Sequence, residues 1–141
     1  LRRRDAQQKK SRERKRMLTA ELQGIKDVAG DGMIYLASPY SHDDEAVRLE
    51  RFRQSVRAAG KLMNLGCKVY SAIGHSHPIA VECNLPLGWD YWEAFDRWYI
   101  ERCSCVVVLI LKGWDESSGV KAEMKIASEL GKPIRWMSQV E

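Results

Sequence analysis

Glu123 is the residue whose type and position in this sequence best suit chemistry. It lies near the start of a segment with helical spacing, 118–130, which follows the most apolar run of the chain, CVVVLIL at 105–111. That run predicts a buried strand, and a carboxylate just beyond its carboxyl end lies where open α/β sheets bind ligands. The alternative is a structural role, because acidic side chains stabilise a helix N-terminus that Ser117 or Ser118 can cap. The pattern alone favours this alternative.

Other polar side chains collect where the predicted strands end. Three loops, at 38–45, 71–88 and 112–118, follow predicted strands. Because the carboxyl ends of parallel strands meet at one edge of a sheet, these loops are expected to line one pocket. Besides Glu123, the polar residues at this edge are Ser38, Tyr40, Ser41, His42, His75, Ser76, His77, Ser117 and Ser118. The segment 71–88 is predicted to be irregular, and a loop of that length in a small domain is usually functional.

Missing motifs exclude several common types of active site. The chain has no GxxxxGK[ST] phosphate-binding loop, no GxGxxG after the first predicted strand and no GxSxG nucleophile elbow. His75 and His77 could begin a zinc site, but no third ligand follows at chelating spacing. They are therefore predicted to be structural or substrate-contacting histidines, and we expect no metal and no other cofactor.

The cysteines and the hydropathy indicate a cytoplasmic protein. The four cysteines, Cys67, Cys83, Cys103 and Cys105, form no CxxC pair. Buried reduced thiols are the simplest interpretation. No apolar run reaches the length of a membrane span, and the charged N-terminus lacks the apolar core of a secretory signal, so no membrane partner is expected.

The elements that must position these groups alternate between strands and helices. Apolar runs predict strands at 33–37, 67–71, 105–111 and 133–137, and helical spacing predicts helices at about 43–65, 89–100 and 118–130. Asp43 or Asp44 is the predicted cap of the first of these helices. Alternation of this kind produces a parallel sheet covered by helices. Residues 33–141 are therefore predicted to form a single α/β domain with four parallel strands.

The positive charge of the chain is concentrated in a predicted N-terminal extension and linker, residues 1–32. This extension contains ten Lys or Arg against five Asp or Glu, whereas residues 33–141 contain thirteen against fourteen. From Met17 a weak apolar stripe predicts a helix at 17–28 that docks on the domain or on a second subunit. Three interpretations of residues 1–16 stay open: a solvated tail, sequence outside the natural reading frame, and a nucleic-acid-binding arm. The last is not favoured, because no aromatic side chains interleave with the charges to stack on bases.

Two motifs carry a resemblance to a known family. Tyr35-Leu-Ala-Ser-Pro-Tyr40 after the first strand, and Ser117-Ser-Gly-Val-Lys-Ala-Glu123 after the Val-rich strand, resemble motifs of the nucleoside 2-deoxyribosyltransferase-like superfamily. The pattern is most similar to a bacterial and phage branch and covers about residues 33–137. The resemblance implies a flavodoxin-like (Rossmann-like) three-layer sandwich with a four- to five-stranded parallel sheet. It also implies a homodimer or a higher oligomer.

The same resemblance assigns roles to individual residues. Glu123 matches the glutamate nucleophile, and Asp96 matches the aspartate that positions or protonates the base, with Asp90 as a rival. Ser117 matches a position that is aspartate in the transferases and serine in the related 2′-deoxynucleoside 5′-phosphate N-hydrolases, where the serine contacts the 5′-phosphate. The predicted substrate-binding residues are Tyr35, Ser38, Pro39, Tyr40, Ser41, His42, His75, His77, Trp89, Ser117, Ser118 and Gly119.

These assignments imply cleavage of the N-glycosidic bond of a nucleoside or a nucleoside 5′-monophosphate. A carboxylate suits the oxocarbenium-like transition state of that reaction, and a second acid can protonate the departing base. Ser117 favours hydrolysis over transfer to a second base, and Arg48 and Arg51 are either phosphate ligands or surface charges. The alternative from another class is a non-catalytic nucleotide-binding module with the same pocket. Pro39 and His42 depart from the glycine-rich first loop of the hydrolases, so the base and the sugar stay open.

Overall fold

The computed structural model describes residues 1–140, which contain five α-helices and four β-strands. In chain order these are α1 (Arg2–Ala29), β1 (Met33–Ala37), α2 (Glu45–Asn64), β2 (Lys68–Ser71), α3 (Ala72–Cys83), α4 (Trp89–Arg102), β3 (Cys105–Ile110), α5 (Ser118–Glu129) and β4 (Ile134–Ser138). A short 3-10 turn, Trp114–Glu116, precedes α5. None of the helices in this range is long and apolar enough to cross a membrane.

The four strands are parallel and lie in one sheet with the order β2-β1-β3-β4. The chain runs outward from β1 to β2 and then returns to the other side of β1 to form β3. The connections after β1 and β3 therefore diverge and open a crevice between them, which is where doubly wound sheets bind ligands. The predicted α/β class and parallel sheet are confirmed, and the sheet has four strands.

Helices cover both faces of this sheet. On one face α1 and α2 pack over a core that includes Leu62 and Cys105. On the other face α3, α4 and α5 pack over a core that includes Val120 and Cys103. The two cysteines lie on opposite faces because Cys103 ends α4 and precedes β3, which begins at Cys105. All four cysteines of the chain are free thiols.

Side-chain caps fix the starts of the two helices that border the crevice. Asp44 accepts a hydrogen bond from the backbone N–H of Ala46 (2.9 Å) and begins α2. Ser117 accepts one from the backbone N–H of Val120 (3.2 Å) and begins α5. In each case the structure selects one of two neighbouring caps predicted from the sequence. Each cap satisfies a backbone donor that the helix itself leaves unpaired.

The prediction of an irregular segment at 71–88 is wrong, because residues Ala72–Cys83 form α3. Ser71 caps this helix by accepting a hydrogen bond from the backbone N–H of Gly74 (3.0 Å). Gly74 and Pro78 disguise the helix in the sequence, since both residue types disfavour helix interiors. The crevice is therefore bordered here by a regular helical face.

Residues 2–29 form one continuous helix, not a tail followed by a short helix. Its second half docks on the sheet through three buried apolar side chains, Leu22, Ile25 and Ala29. The carboxylate of Glu21 accepts hydrogen bonds from the backbone N–H and the hydroxyl of Ser138 (3.0–3.2 Å), at the end of β4. In the first half, every residue from 1 to 17 is exposed. The second half of α1 therefore packs against the sheet, whereas the first half is exposed to solvent.

We expect Ile25→Ala to lower the free energy of unfolding by roughly 2–5 kcal/mol. Ile25 is 2% exposed, and shortening it leaves a cavity between α1 and the sheet. Urea denaturation followed by circular dichroism measures the change. Met17→Ala is the matched control, since Met17 is 73% exposed on the same helix. Equal losses in the two variants would contradict the docking of the second half of α1.

Candidate active site

The crevice at the carboxyl ends of β1 and β3 contains a cavity of about 200 Å³. Its wall brings together ten residues predicted from the sequence: Ser38, Tyr40, Ser41, Ser76, Trp89, Asp96, Ser117, Ser118, Gly119 and Glu123. The three predicted loop regions do converge on one site. The volume lies below the roughly 300–1,000 Å³ typical of drug-sized ligand sites, so the cavity suits a small ligand.

Glu123 lies in the second turn of α5, lines the cavity and is 5% exposed. Gly119 leaves room beside it, since a Cβ at that position would lie 3.9 Å from Oε1 of Glu123. Burial first, and then the neighbouring carboxyl of Asp96, raise the pKa of Glu123 well above that of an ordinary glutamate. A carboxylate whose only role was to interact with the helix dipole would be more favourable at an exposed position, because burial disfavours its charged form.

Asp96 lies on α4, which packs against α5 on the same face of the sheet. It lines the same cavity as Glu123. Burial raises the pKa of Asp96 to about 7. Two neighbouring carboxyls that are both poorly solvated resist double ionisation, so the pair keeps one proton near neutral pH. The two groups therefore titrate as a unit rather than independently.

Tyr35 on β1 joins this pair of carboxyls. Its side chain is fully buried, and its hydroxyl makes no hydrogen bond of standard geometry within residues 1–140. It nevertheless lies near enough to Glu123 and to Asp96 that hydrogen bonding from it lowers the pKa of each carboxyl. Burial and the two carboxyls hold the pKa of Tyr35 well above its usual value, so the hydroxyl stays protonated. Its single hydrogen can therefore serve either carboxylate, but only one at a time.

Two tryptophans on α4 form an aromatic wall of the cavity. Trp89 and Trp92 are one helical turn apart, and Asp96 follows one turn later on the same side. The indole N–H of Trp92 donates a hydrogen bond to the carbonyl of Pro86 (2.8 Å), which fixes the orientation of the ring. Flat apolar rings beside a buried acid suit a planar heterocyclic ligand.

Contacts with α2 and α3 hold the loop after β1 in place. The hydroxyls of Ser38 and Ser55 are both buried and lie 2.6 Å apart. The hydroxyl of Tyr40 is hydrogen-bonded to Nδ1 of His77, and the His77 ring stacks on Phe52 with centroids 4.4 Å apart. Burial lowers the pKa of His77, which favours its neutral form. Ser38 and Tyr40 thus present fixed polar groups to the cavity, whereas His77 supports them.

Besides the two histidines of α3, three predicted site residues lie away from the carboxyl pair. Asp90 is exposed in the first turn of α4, so Asp96 is the aspartate that shares the cavity with Glu123. Pro39 is buried but is not part of the cavity wall. His42 is exposed and lines a second cavity. The sequence leaves Asp90 and Asp96 as alternative partners of Glu123. Of the two, only Asp96 lines the cavity.

α3 separates the two histidines at positions 75 and 77. Residues two apart on a helix do not face each other, and His77 is buried whereas His75 is exposed. The His75 ring lies beside Tyr70 and Tyr99, with centroids 5.5 and 6.1 Å away. The pair is therefore not arranged to hold one metal ion. Within residues 1–140, no group of three His, Cys, Asp or Glu side chains is arranged to do so either.

A second, wider cavity of about 730 Å³ adjoins the first through Glu116, which lines both. Arg51 borders it and donates hydrogen bonds to the carbonyls of Ser41 (2.9 Å) and Lys112 (3.3 Å). Arg48 donates to two further carbonyls of the first loop. The two arginines therefore use their donors to fasten the loops that follow β1 and β3.

Several residues of the first cavity's wall were not among the predicted site residues. They are Ile73, Ala80, Leu87, Trp92 and Glu116. Ile73, Ser76 and Ala80 recur at spacings of three and four and share one face of α3, a signal that is visible only once 72–83 is taken as a helix. Trp92 was visible as the residue one turn before Asp96. Nothing in the local sequence distinguishes Glu116 from an ordinary turn residue.

Comparisons with known proteins agree with this geometry. A family described as a domain of unknown function (DUF1937) matches residues 32–139. The solved structure of a 2-deoxyribosyltransferase from the psychrotolerant bacterium Bacillus psychrosaccharolyticus superposes with a TM-score of 0.50 and 26% sequence identity. That alignment covers 75% of this chain and 72% of the other. A comparison with curated proteins finds no match.

The raised pKa of Asp96 makes stability depend on pH. Asp96 ionises near its ordinary value of 3.8 when unfolded but near 7 when folded. Between these values only the folded state holds the proton, so the free energy of unfolding falls as pH rises from about 4 to about 7. We expect Asp96→Asn to weaken this dependence and to melt above the wild type at pH 8, with little difference at pH 4.

Thermal denaturation at the two pH values measures this effect. Asp90→Asn, on the exposed side of the same helix, is the matched control and should leave the pH dependence unchanged. If Asp96→Asn shifted the melting temperature equally at both pH values, the proposed protonation of the buried pair would be wrong.

Proposed function

This chain belongs to the DUF1937 family and to the nucleoside 2-deoxyribosyltransferase-like superfamily, and from that premise we propose that it cleaves the N-glycosidic bond of a nucleoside or nucleoside 5′-monophosphate. Glu123 is the nucleophile and Asp96 the acid that protonates the departing base. The observation that carries the proposal is that the buried Glu123 and the half-buried Asp96 lie together in the wall of one small cavity, with Tyr35 near both carboxyls.

The reaction has two steps. In the first, the Glu123 carboxylate attacks the anomeric carbon while the bond to the base breaks, and the Asp96 proton passes to the base. The product is a glycosyl ester on Glu123. In the second, water attacks the same carbon, the Asp96 carboxylate takes a proton from it, and Glu123 leaves as a carboxylate. A second base in place of water turns the same cycle into transfer.

The single proton of the pair must lie on Asp96 for the first step. Burial raises the pKa of both carboxyls. Glu123 is the more deeply buried of the two, so without substrate its charged form is the less favoured and it holds that proton. Positive charge that develops at the anomeric carbon stabilises the Glu123 carboxylate and moves the proton to Asp96. The Tyr35 hydroxyl stabilises whichever carboxylate is formed, since it reaches both.

The rest of the cavity fits the parts of such a substrate. Trp89 and Trp92 offer flat faces to a planar base beside Asp96. At the other side, Ser117 uses its hydroxyl to cap α5, which leaves backbone N–H groups at the start of the helix for a sugar oxygen or a phosphate. We favour hydrolysis, because the residue at position 117 is the serine of the related hydrolases and not the aspartate of the transferases.

We expect the protein to release free base from at least one member of a panel of nucleosides and nucleoside 5′-monophosphates. Chromatography of the incubated mixtures detects the base. Glu123→Gln should abolish release, because the amide cannot attack the anomeric carbon, and Asp96→Asn should slow it by roughly 10²–10⁴-fold. Asp90→Asn is the matched control and should retain the wild-type rate.

The same mixtures separate the alternatives. Addition of a second base tests transfer, which appears as a new nucleoside at the expense of free sugar. If no base is released while a nucleotide still raises the melting temperature, the chain is a nucleotide-binding module. Base release that survives in Glu123→Gln would remove Glu123 from the mechanism.

The protonation states also predict a bell-shaped dependence of kcat/KM on pH. The active form holds one proton on the pair, so activity falls when the pair gains a second proton at low pH and when it loses its last one at high pH. Burial raises the pKa of Asp96 to about 7 and that of Glu123 well above its ordinary value. The first proton is therefore lost near neutral pH, so kcat/KM should rise through neutral pH and fall only when the pair loses its last proton at higher pH. Residual activity of Asp96→Asn should lack this alkaline fall, and an unchanged profile in that variant would contradict the assignment.

A further inference from the structure

The first half of α1 takes no part in the proposed active site and has a separate chemical character. Residues 2–16 carry nine Lys or Arg against two acidic residues, Asp5 and Glu13. Every residue from 1 to 17 is exposed, and the matched family domain begins only at residue 32. We propose that this half of α1, the basic helix (residues 2–16), binds duplex DNA by lying in its major groove.

The basic helix is held as a regular array of charges and is not a loose tail. It continues without interruption into the second half of α1, which is fastened to the sheet by Leu22, Ile25 and Ala29. At 1.5 Å per residue the basic helix is about 22 Å long. A preformed array of this kind loses less conformational entropy on binding than a disordered arm.

The cations surround the basic helix instead of forming one stripe. Lys9, Arg12 and Arg16 recur at spacings of three and four and share one face. Arg3 and Lys10, seven residues apart, lie on a second face. Because an α-helix in the major groove runs between the phosphates of two strands, cations on two or more faces can each meet a phosphate.

Other polyanions fit this distribution less well. An anionic membrane meets only one face of a helix, and membrane-surface helices also need an apolar face, whereas Ala6 is the sole apolar residue within 2–16. Duplex RNA has a deep, narrow major groove that protein side chains cannot read. Single strands bind through stacking on aromatic side chains, which this stretch lacks. Of these polyanions, duplex DNA fits the arrangement of the charges best.

The test measures binding of the full chain to a fluorescein-labelled duplex of mixed sequence by fluorescence anisotropy, from roughly 50 to 200 mM NaCl. We expect the logarithm of the affinity to fall linearly with the logarithm of salt concentration, by roughly 0.9 for each phosphate contacted. The double variants Arg3→Gln/Lys10→Gln and Lys9→Gln/Arg12→Gln, which neutralise different faces, should each weaken binding on the order of tenfold and reduce the slope by roughly 1.8.

Arg53→Gln/Arg57→Gln is the matched control. It removes the same charge from exposed positions of α2 and should bind like the wild type. The proposal is overturned if the α1 variants bind like this control, if only one face contributes, or if single strands, duplex RNA or phosphatidylserine vesicles bind more tightly than duplex DNA. All α1 substitutions lie at exposed positions, so melting temperatures should be unchanged. Base release measured on the same preparations is independent of this outcome, since the basic helix takes no part in the cavity.

Discussion

The close approach of Glu123, Asp96 and Tyr35 in a poorly solvated place is the constraint on which the rest of the structure depends. Two carboxyls in one poorly solvated cavity carry a single proton near neutral pH, because a second negative charge there is disfavoured by burial and by repulsion. That state requires three separate elements to meet. Tyr35 comes from β1, Asp96 from α4 and Glu123 from α5, and all three lie on the same face of the sheet. The order of the strands and helices therefore brings the three ionisable side chains together.

The poorly solvated carboxyls lower the stability of the fold, and contacts around the cavity restrain the loop that borders them. The buried carboxyls favour the protonated state and so oppose folding as pH rises. Fixed groups around them limit what can move. The Ser38–Ser55 contact, the Tyr40–His77 hydrogen bond and the donors of Arg51 hold the first loop. On the opposite face, α1 and α2 cover the sheet with a cluster of buried apolar side chains.

The sequence predicted the features that depend on local pattern. Apolar runs separated by polar turns correctly indicated a parallel four-stranded sheet, and each capping residue of α2 and α5 was one of two candidates. The prediction failed at α3, where Gly74 and Pro78 obscure a helix that tertiary packing stabilises despite them. Ile73 and Ala80, which line the cavity from α3, were missed for that reason. Glu116 was missed because contacts made across the crevice by a turn residue produce no periodic pattern in the sequence.

By itself the sequence determined the class of the fold and the position of Glu123 at the carboxyl edge of the sheet, since hydrophobic periodicity and turn chemistry act over a few residues. Only the tertiary structure decided which acid accompanies Glu123. Asp90 and Asp96 are six residues apart on one helix, and the direction in which each points depends on how α4 packs against α5. The same packing decided that Tyr35 faces both carboxyls. Burial and proximity of this kind join residues far apart in the chain, so they cannot be found in the order of the amino acids.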